Sequence, residues 1–455
     1  MPSDIVAIDF GTSNSAAAVL GPEGVRLLPV EADAQTVPTA VFFPHGGAAM
    51  KIGAAATRAM IEGEDGRYMR SLKSVLGTDL LHEERIVAGR RRTLARVITE
   101  FLIALREQAE AASGQRFTKA LSGRPVRFHS DNDRPDNDRR NAQAAKDLEA
   151  CYLDAGFDQV SFMPEPEAAA LSTLSLGIRG EIGLIVDIGG GTSDFSVFRK
   201  RNSAEPAGDL EILASYGIRL GGTDFDQAVS LAHVMPKLGL GGQLRTVFGS
   251  ELLPVPVNPF VELATWFKIP FLYSAGTKQM LRDLIKQAVE PKRLERFYTV
   301  IDLQLGHELA FAVEDAKIEV NTTRTEVAIA LDFIERALSV TMGQDGLANA
   351  LSKHRKALRE AMVMCLDMAG IAAADVDHVI LVGGSSLMEF VSDEAKSVCP
   401  QAETVRSNAF TAVVDGLALA TGQTNNSRKN AASIGASGPV REHDMAAFGG
   451  LQQIP

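Results

Sequence analysis

The chain has 455 residues, more than one ordinary hydrophobic core accommodates, so two to four domains or subdomains are expected. Apolar residues make up 45% and charged residues 23%, which excludes a disordered chain and leaves ample material for a core. With 46 Lys and Arg against 57 Asp and Glu, the formal net charge of -11 argues against nucleic acid and anionic membrane as partners.

In chain order, Ile5 to Asp9 reads as a short apolar strand, Gly11 to Ser15 as a polar turn and Ala16 to Leu20 as the returning strand. Thr36 to Phe43 predicts a further strand, followed by a basic and polar stretch around Arg67 to Gly77. From Leu94 to Ala112 the residues Leu94, Val97, Ile98, Phe101, Leu102 and Leu105 keep helical spacing, and Gly114 is a stop signal. Asp131 to Arg140 is a loop by composition, Asn141 to Ala155 a helix ended by Gly156, and Val160 to Met163 a short strand. That strand leads into Glu165-Pro166-Glu167, where the proline suits a first helical turn, and the helix start Ala168 to Leu174.

Ile185 to Phe198, IVDIGGGTSDFSVF, repeats the design of the first hairpin: apolar strand, glycine turn, returning strand. Leu210 to Tyr216 is a strand that runs into a second glycine turn, Leu220 to Asp226. Prolines and glycines crowd Met235 to Pro270, which predicts an irregular insertion rather than a core element. Helices are expected at Gly276 to Val289, Leu309 to Lys317, Val327 to Leu351 and Lys353 to Met368, the last stopped by Gly370. Asp377 to Val382 is a buried strand, Gly383 to Ser386 a turn into a helix, and Thr411 to Ala420 a last apolar helix. Gln423 to Pro455 is expected to be a flexible tail.

Cys151, Cys365 and Cys399 lie far apart with no C-x-x-C spacing, as reduced thiols of a cytoplasmic protein would. No apolar run approaches the roughly 20 residues of a membrane helix, and the first residues, which enter an apolar strand without a basic stretch, lead to the expectation of no leader.

Asp9-Phe10-Gly11-Thr12-Ser13 and Asp187 to Asp194 look like one motif used twice, about 180 residues apart, as internal duplication would produce. A strand ending in aspartate beside a turn without side chains can bring backbone N–H groups to a phosphate while the carboxylate faces the accompanying metal. Alone, such a hairpin is more often only a tight turn. Four glycine turns in order, at Asp9 to Ser13, Asp187 to Asp194, Leu220 to Asp226 and Leu381 to Ser385, point to a nucleotide site instead.

On these residues the chain resembles the actin-like ATPase superfamily and, within it, the seventy-kilodalton heat-shock, DnaK-like chaperone family. AIDFGTSNS at Ala7 to Ser15 is similar to the family's first phosphate loop and VDIGGGTSD at Val186 to Asp194 to its second. EPEAAAL at Glu165 to Leu171 resembles the segment connecting the lobes, LGGTDFD at Leu220 to Asp226 the next glycine turn, ILVGGSS at Ile380 to Ser386 the adenosine motif, and AVVDGLALA at Ala412 to Ala420 the second connecting helix.

The resemblance implies a two-lobed α/β actin-like fold of duplicated ribonuclease H-like subdomains, with mixed sheets flanked by helices. Lobe I is expected over residues 1–178 with an insertion at about 31–117, lobe II over 179–404 with an insertion at about 224–334, and a closing helix over 405–422 returning to lobe I. It further implies ATP or ADP with Mg²⁺ in the interlobe cleft. Gly11, Thr12, Ser13 and Asn14 would meet the phosphates from one side, and Gly189, Gly190, Gly191 and Thr192 from the other. Asp9 and Asp187 would hold the metal mostly through water. Lys73, four residues before Gly77, would neutralise charge on the γ-phosphate, with Arg70 as its rival; Glu165 and Thr192 would position the attacking water, Asp194 being the next carboxylate to consider. Glu314 would bond the ribose and Lys317 the adenosine region, while Gly221, Gly222, Gly383, Gly384 and Ser385 would complete the nucleotide cradle.

Five places depart from the family pattern. Leu387 stands where an arginine stacks on the base, Phe410 where an acidic residue is usual, Thr223 where a glutamate is usual, and Arg124-Pro125-Val126-Arg127-Phe128 where V-P-A-Y-F is usual. After the last helix only about 34 polar residues follow, which implies that the peptide-binding domain is lacking. The expected activity is slow ATP hydrolysis by a truncated chaperone or a nucleotide-dependent switch for a protein partner or client. The insertion from Met235 to Tyr298 is the expected place for partner contacts, with Trp266 a core residue rather than an anchor. A filament-forming actin-like ATPase, a small-molecule kinase of the same superfamily and a nucleotide sensor that hardly hydrolyses are the alternatives.

Overall fold

Two mixed β-sheets carry the molecule, and both are laid out on one plan. The computed structural model describes residues 4–31, 34–87, 89–129, 137–173, 181–200, 210–246, 250–407 and 410–422. In the first sheet Ile5–Phe10 is central. Asn14–Gly21 and then Gly24–Leu28 follow antiparallel on one side, and Lys119–Arg124 and Gln159–Pro164 add in parallel on the other. In the second, Ile182–Ile188 is central, with Ser193–Lys200 and Leu210–Ile218 antiparallel on one side and His378–Val382 and Glu403–Arg406 parallel on the other. The expected duplication is therefore written in strand order.

The central strands are apolar runs rather than alternating ones because both their faces are covered: Val6 to Ile8 and Leu184 to Val186 are fully buried. The predicted helix at Leu94 forms as Leu94–Ser113. Thr93 accepts a hydrogen bond from Arg96 N at its start, Gly114 closes it at φ 69°, and its whole apolar stripe is buried.

Between the sheets lies a small core of its own. Ala7, Ala16 and Ala18 of the first sheet and Ile185, Ile380 and Val382 of the second pack on Ala168 to Leu171 of the helix Glu165–Thr173 and on Val413, Val414 and Leu417 of the helix at 412–422. The two helices cross backbone to backbone. A Cβ on Gly416 would collide with the carbonyl oxygen of Ala168, so only glycine permits this approach.

Three expectations change. Val327 to Leu351 is not a long helix but a hairpin, Val327–Ala330 with Ser339–Met342, followed by the short helix Gln344–Ala350. Val327 and Ile329 are buried while Ala328 and Ala330 are exposed, a period of two that the surrounding apolar density hides. The stretch Met235 to Pro270 is not an irregular insertion outside the core. Pro236, Pro259 and Pro270 each stand in a first helical turn, and Met235, Leu238, Phe260 and Leu263 belong to the largest buried cluster. Residues 247–249 lie outside the described ones. The loop expected over Asp131 to Arg140 yields to a helix from Asn137, which runs to Asp154; residues 130–136 lie outside the described ones. So does the expected tail, Gln423 to Pro455. Among the described residues no helix is long and apolar enough to cross a membrane.

Candidate functional site

The turns that end the two central strands face each other. A Cβ on Gly190 would collide with Ser13 Oγ, and one on Gly191 would come within 2.9 Å of Thr12 Oγ1, so the bare second turn is what lets the first approach. Behind it the turn at Gly221 braces the loop: Gly222 N donates to Gly189 O (3.0 Å), and Thr223 donates to Gly190 O from both N and Oγ1, each at 2.8 Å. Thr223, a departure from the family pattern, thus fastens the second hairpin from below. Ser13 is held in turn, its carbonyl accepting from Thr39 N at 2.8 Å.

Beneath the turns is a cluster of charge. Lys73, on the helical turn Leu72–Val75, donates to Glu165 Oε1 at 2.6 Å, and both side chains are buried. Asp187 and Asp194 are buried beside them, with Asp9 partly so. Lys73 balances one of these four carboxylates. Burial, and then repulsion from Glu165 and its neighbours, holds Asp187 well above the usual carboxylate range; Asp9 and Asp194 are raised by the same causes. Burial alone would lower the Lys73 ammonium, but Glu165 and Asp9 outweigh it and the net shift is upward. Asp194 is fixed as an acceptor of Val126 N at 2.6 Å, which gives the divergent Arg124 to Phe128 tract a backbone role.

All-oxygen donors with excess negative charge fit a hard divalent cation. Among the described residues no three His, Cys, Asp or Glu side chains converge enough to cage an ion directly. Magnesium, which keeps most of its own water, suits such an arrangement, with Asp9 and Asp187 as the residues that could hold it.

Above the cluster the cleft opens into a cavity of about 680 Å³, within the range of small-molecule sites. Its walls bring together Asp9, Gly11 to Asn14, Lys73, Glu165, Asp187, Gly189, Gly190, Thr192, Gly222, Glu314, Lys317 and Gly383 to Ser385, nearly all the predicted site residues. Gly191 and Gly221 stand behind the wall, where their backbones support it.

Glu314 and Lys317, on the helix Gly306–Thr323, do not form the i,i+3 surface pair their spacing allows. Glu314 accepts both arms of Arg70, at 2.8 and 3.2 Å, from the opposite side of the cleft, and Lys317 donates to buried Asp226 at 2.5 Å. Asp226 also accepts from Trp266 Nε1 at 3.0 Å, and Trp266 is buried as expected. Arg70 lies over the Trp266 ring at 4.5 Å and the Phe311 ring at 5.6 Å. Arg70 and Lys73 both line the cavity, each paired with a carboxylate, Arg70 with Glu314 and Lys73 with Glu165.

Sequence reasoning missed several wall residues. Asn321 and Arg406 line the far end of the cavity. Asn321 lies seven positions after Glu314 and four after Lys317, so helical spacing from these two could have found it. Arg406 ends a strand and carried no local signal.

A sequence model of the Hsp70 protein family matches residues 5–238 and 292–430. The chain is 26% identical over 430 residues to a chaperone protein DnaK of Thermosipho melanesiensis, an alignment that covers 91% of this chain and 58% of that protein. The chain thus spans somewhat under three fifths of the length of that relative.

Proposed function

The chain belongs to the Hsp70 family and has its actin-like ATPase fold, and from this we propose that it is an ATP-driven, chaperone-type switch: ATP with Mg²⁺ binds in the interlobe cleft, is hydrolysed slowly, and sets how tightly the lobes close. The observation that carries the reading is the apposition of the two glycine turns directly above the Lys73–Glu165 and aspartate cluster, within one cavity large enough for a nucleotide.

In this reading backbone N–H groups of Gly11 to Ser13 and of Gly189 to Thr192 grip the β- and γ-phosphates from both sides. Mg²⁺, held by Asp9 and Asp187 through water, supplies further charge neutralisation on the phosphate oxygens when bound. Lys73 places its ammonium at the γ-phosphate, and Glu165 and Thr192 orient water for in-line attack. The water oxygen bonds to the γ-phosphorus, the bond from that phosphorus to the bridging oxygen breaks, and ADP and phosphate leave, the proton passing to Glu165 or solvent. Positioning rather than a strong base carries such a reaction.

The lobe division near residue 178, a closing role for the helix at 412–422 and a cytoplasmic setting, in keeping with three buried free thiols, are parts of the same proposal; the closing helix expected from residue 405 starts later, because Glu403–Arg406 is a strand. So is a protein partner. Residues 239–291 fall outside both matched spans, and the hairpin Gln243–Arg245 with Leu252–Pro254 leaves Leu252 and Leu253 about half exposed there. That is where partner contacts are placed.

The test is isothermal titration of ATP and of ADP with Mg²⁺ into the parent protein and Asp187→Ala. Dissociation constants well below about 1 mM (roughly -4 kcal/mol) for the parent, and clear weakening in the variant, are expected. A parent that binds neither nucleotide at millimolar concentration ends this reading.

A further inference from the structure

Resting on the nucleotide reading above, we infer that the base end of the cleft is a purine site rather than an adenine site, with Phe410 as its platform, and that it takes guanine nucleotides nearly as well as adenine nucleotides. The wall of the cavity at that end is apolar. Leu387, Ile318 and Phe410 all line it and remain 39%, 50% and 47% exposed. The Phe410 ring lies against the bare turn, since a Cβ on Gly384 would sit 2.9 Å from its Cε1.

The polar side chains around this wall are mostly turned to the protein itself. Asn321 donates to Leu387 O at 3.2 Å and accepts from Glu389 N at 2.9 Å, so both ends of its amide are engaged. The Thr322 hydroxyl donates to Ile318 O at 2.8 Å, Glu389 is paired with Arg324, and Lys317 is paired with Asp226. Among the described residues that line this end, two polar groups stay uncommitted: the Ser385 hydroxyl, turned toward Gly222, and the exposed guanidinium of Arg406.

Neither group rejects either purine. A hydroxyl both donates and accepts, so it meets an amino group or a carbonyl at C6 equally well. A guanidinium only donates, and each base offers it acceptors: N3 and N7 on both, N1 on adenine alone and O6 on guanine alone. Strong discrimination needs a buried polar group that the wrong ligand leaves unpaired, and an apolar wall gives only a small ratio. Stacking on an aromatic ring is indifferent to base identity, because every base has a π-face. The phosphate end, by contrast, is the same for any nucleoside triphosphate.

The experiment is equilibrium titration of ATP and GTP, each with Mg²⁺, into the parent protein and into Phe410→Ala, with circular dichroism to verify that the half-exposed substitution leaves the fold intact. ATP and GTP are expected within about fivefold of each other in the parent. Phe410→Ala is expected to weaken both by about tenfold. ATP bound more than about thirtyfold tighter than GTP overturns the inference while leaving the nucleotide reading in place, as does a Phe410→Ala protein that binds both like the parent. A parent that binds neither nucleotide removes the nucleotide reading and the inference with it.

Discussion

Arg70 and Glu314 meet across the mouth of the cleft in a two-armed ion pair, 244 residues apart in the chain. Burial alone would raise the Glu314 carboxyl and lower the Arg70 guanidinium, but their mutual attraction more than offsets desolvation: the carboxyl is held below its ordinary pKa and the guanidinium above its own. Trp266 and Phe311 pack on the Arg70 guanidinium, so the contact is both electrostatic and stacked.

Removing one partner leaves the other buried and unpaired. Arg70→Ala is expected to lower unfolding free energy by about 3 kcal/mol and to speed nucleotide release, whereas the double variant Arg70→Ala with Glu314→Ala loses less than the sum of the singles. Denaturant melts and stopped-flow displacement of a fluorescent nucleotide read the two effects; strict additivity would show that the pair is not a unit.

Lys73→Ala is expected to keep MgATP binding but to lose about 10²–10³ in single-turnover hydrolysis, the scale for removing one preorganised donor to developing charge. Unchanged turnover would take the phosphate role from Lys73. The role would then pass to Arg70, which lines the same cavity, or elsewhere.

His307 supplies a pH dependence. Burial first, then the positive Arg70 and Arg67 beside it, lowers its pKa to about 3 from 6.5. The unfolded chain therefore takes up a proton that the folded one refuses. The stability from this site is full above pH 6.5 and is lost as pH falls toward 3. The slope is at most one proton, ~1.4 kcal/mol per pH unit. Thermal melts of His307→Leu should fall less steeply with acid than those of the parent over that window; equal slopes would clear His307 of the effect.

Gly416→Val is expected to destabilise by about 3 kcal/mol, because its side chain must displace the Ala168 carbonyl at the helix crossing. Ala→Val at the exposed, outward-facing Ala328 is the control, with a change within about 0.5 kcal/mol in chemical melts. Similar melts for the two variants would mean that the crossing yields easily.

Much of this arrangement was legible in the sequence because it is local. A strand, an aspartate and bare glycines fall within ten residues at Asp9 and again at Asp187, and the repeat itself announces the two sheets. The hairpin at Val327 was hidden by apolar residues dense enough to satisfy a helical period as well as a strand one. The insertion was misread for another reason: prolines that look like breaks are helix starts when the chain before them has already turned. The pairings Arg70–Glu314 and Lys317–Asp226 had no local signature at all, since their partners come from distant elements that only the fold brings together.

Trp266 is the only tryptophan of the chain, and it sits under the Arg70 guanidinium, bonded to Asp226. Its near-ultraviolet emission is therefore a built-in optical gauge with a single source. If the two halves open and shut as proposed, lifting the cation from the indole and admitting water would shift the emission to the red and change its yield, so the motion could be timed in the native protein without a dye.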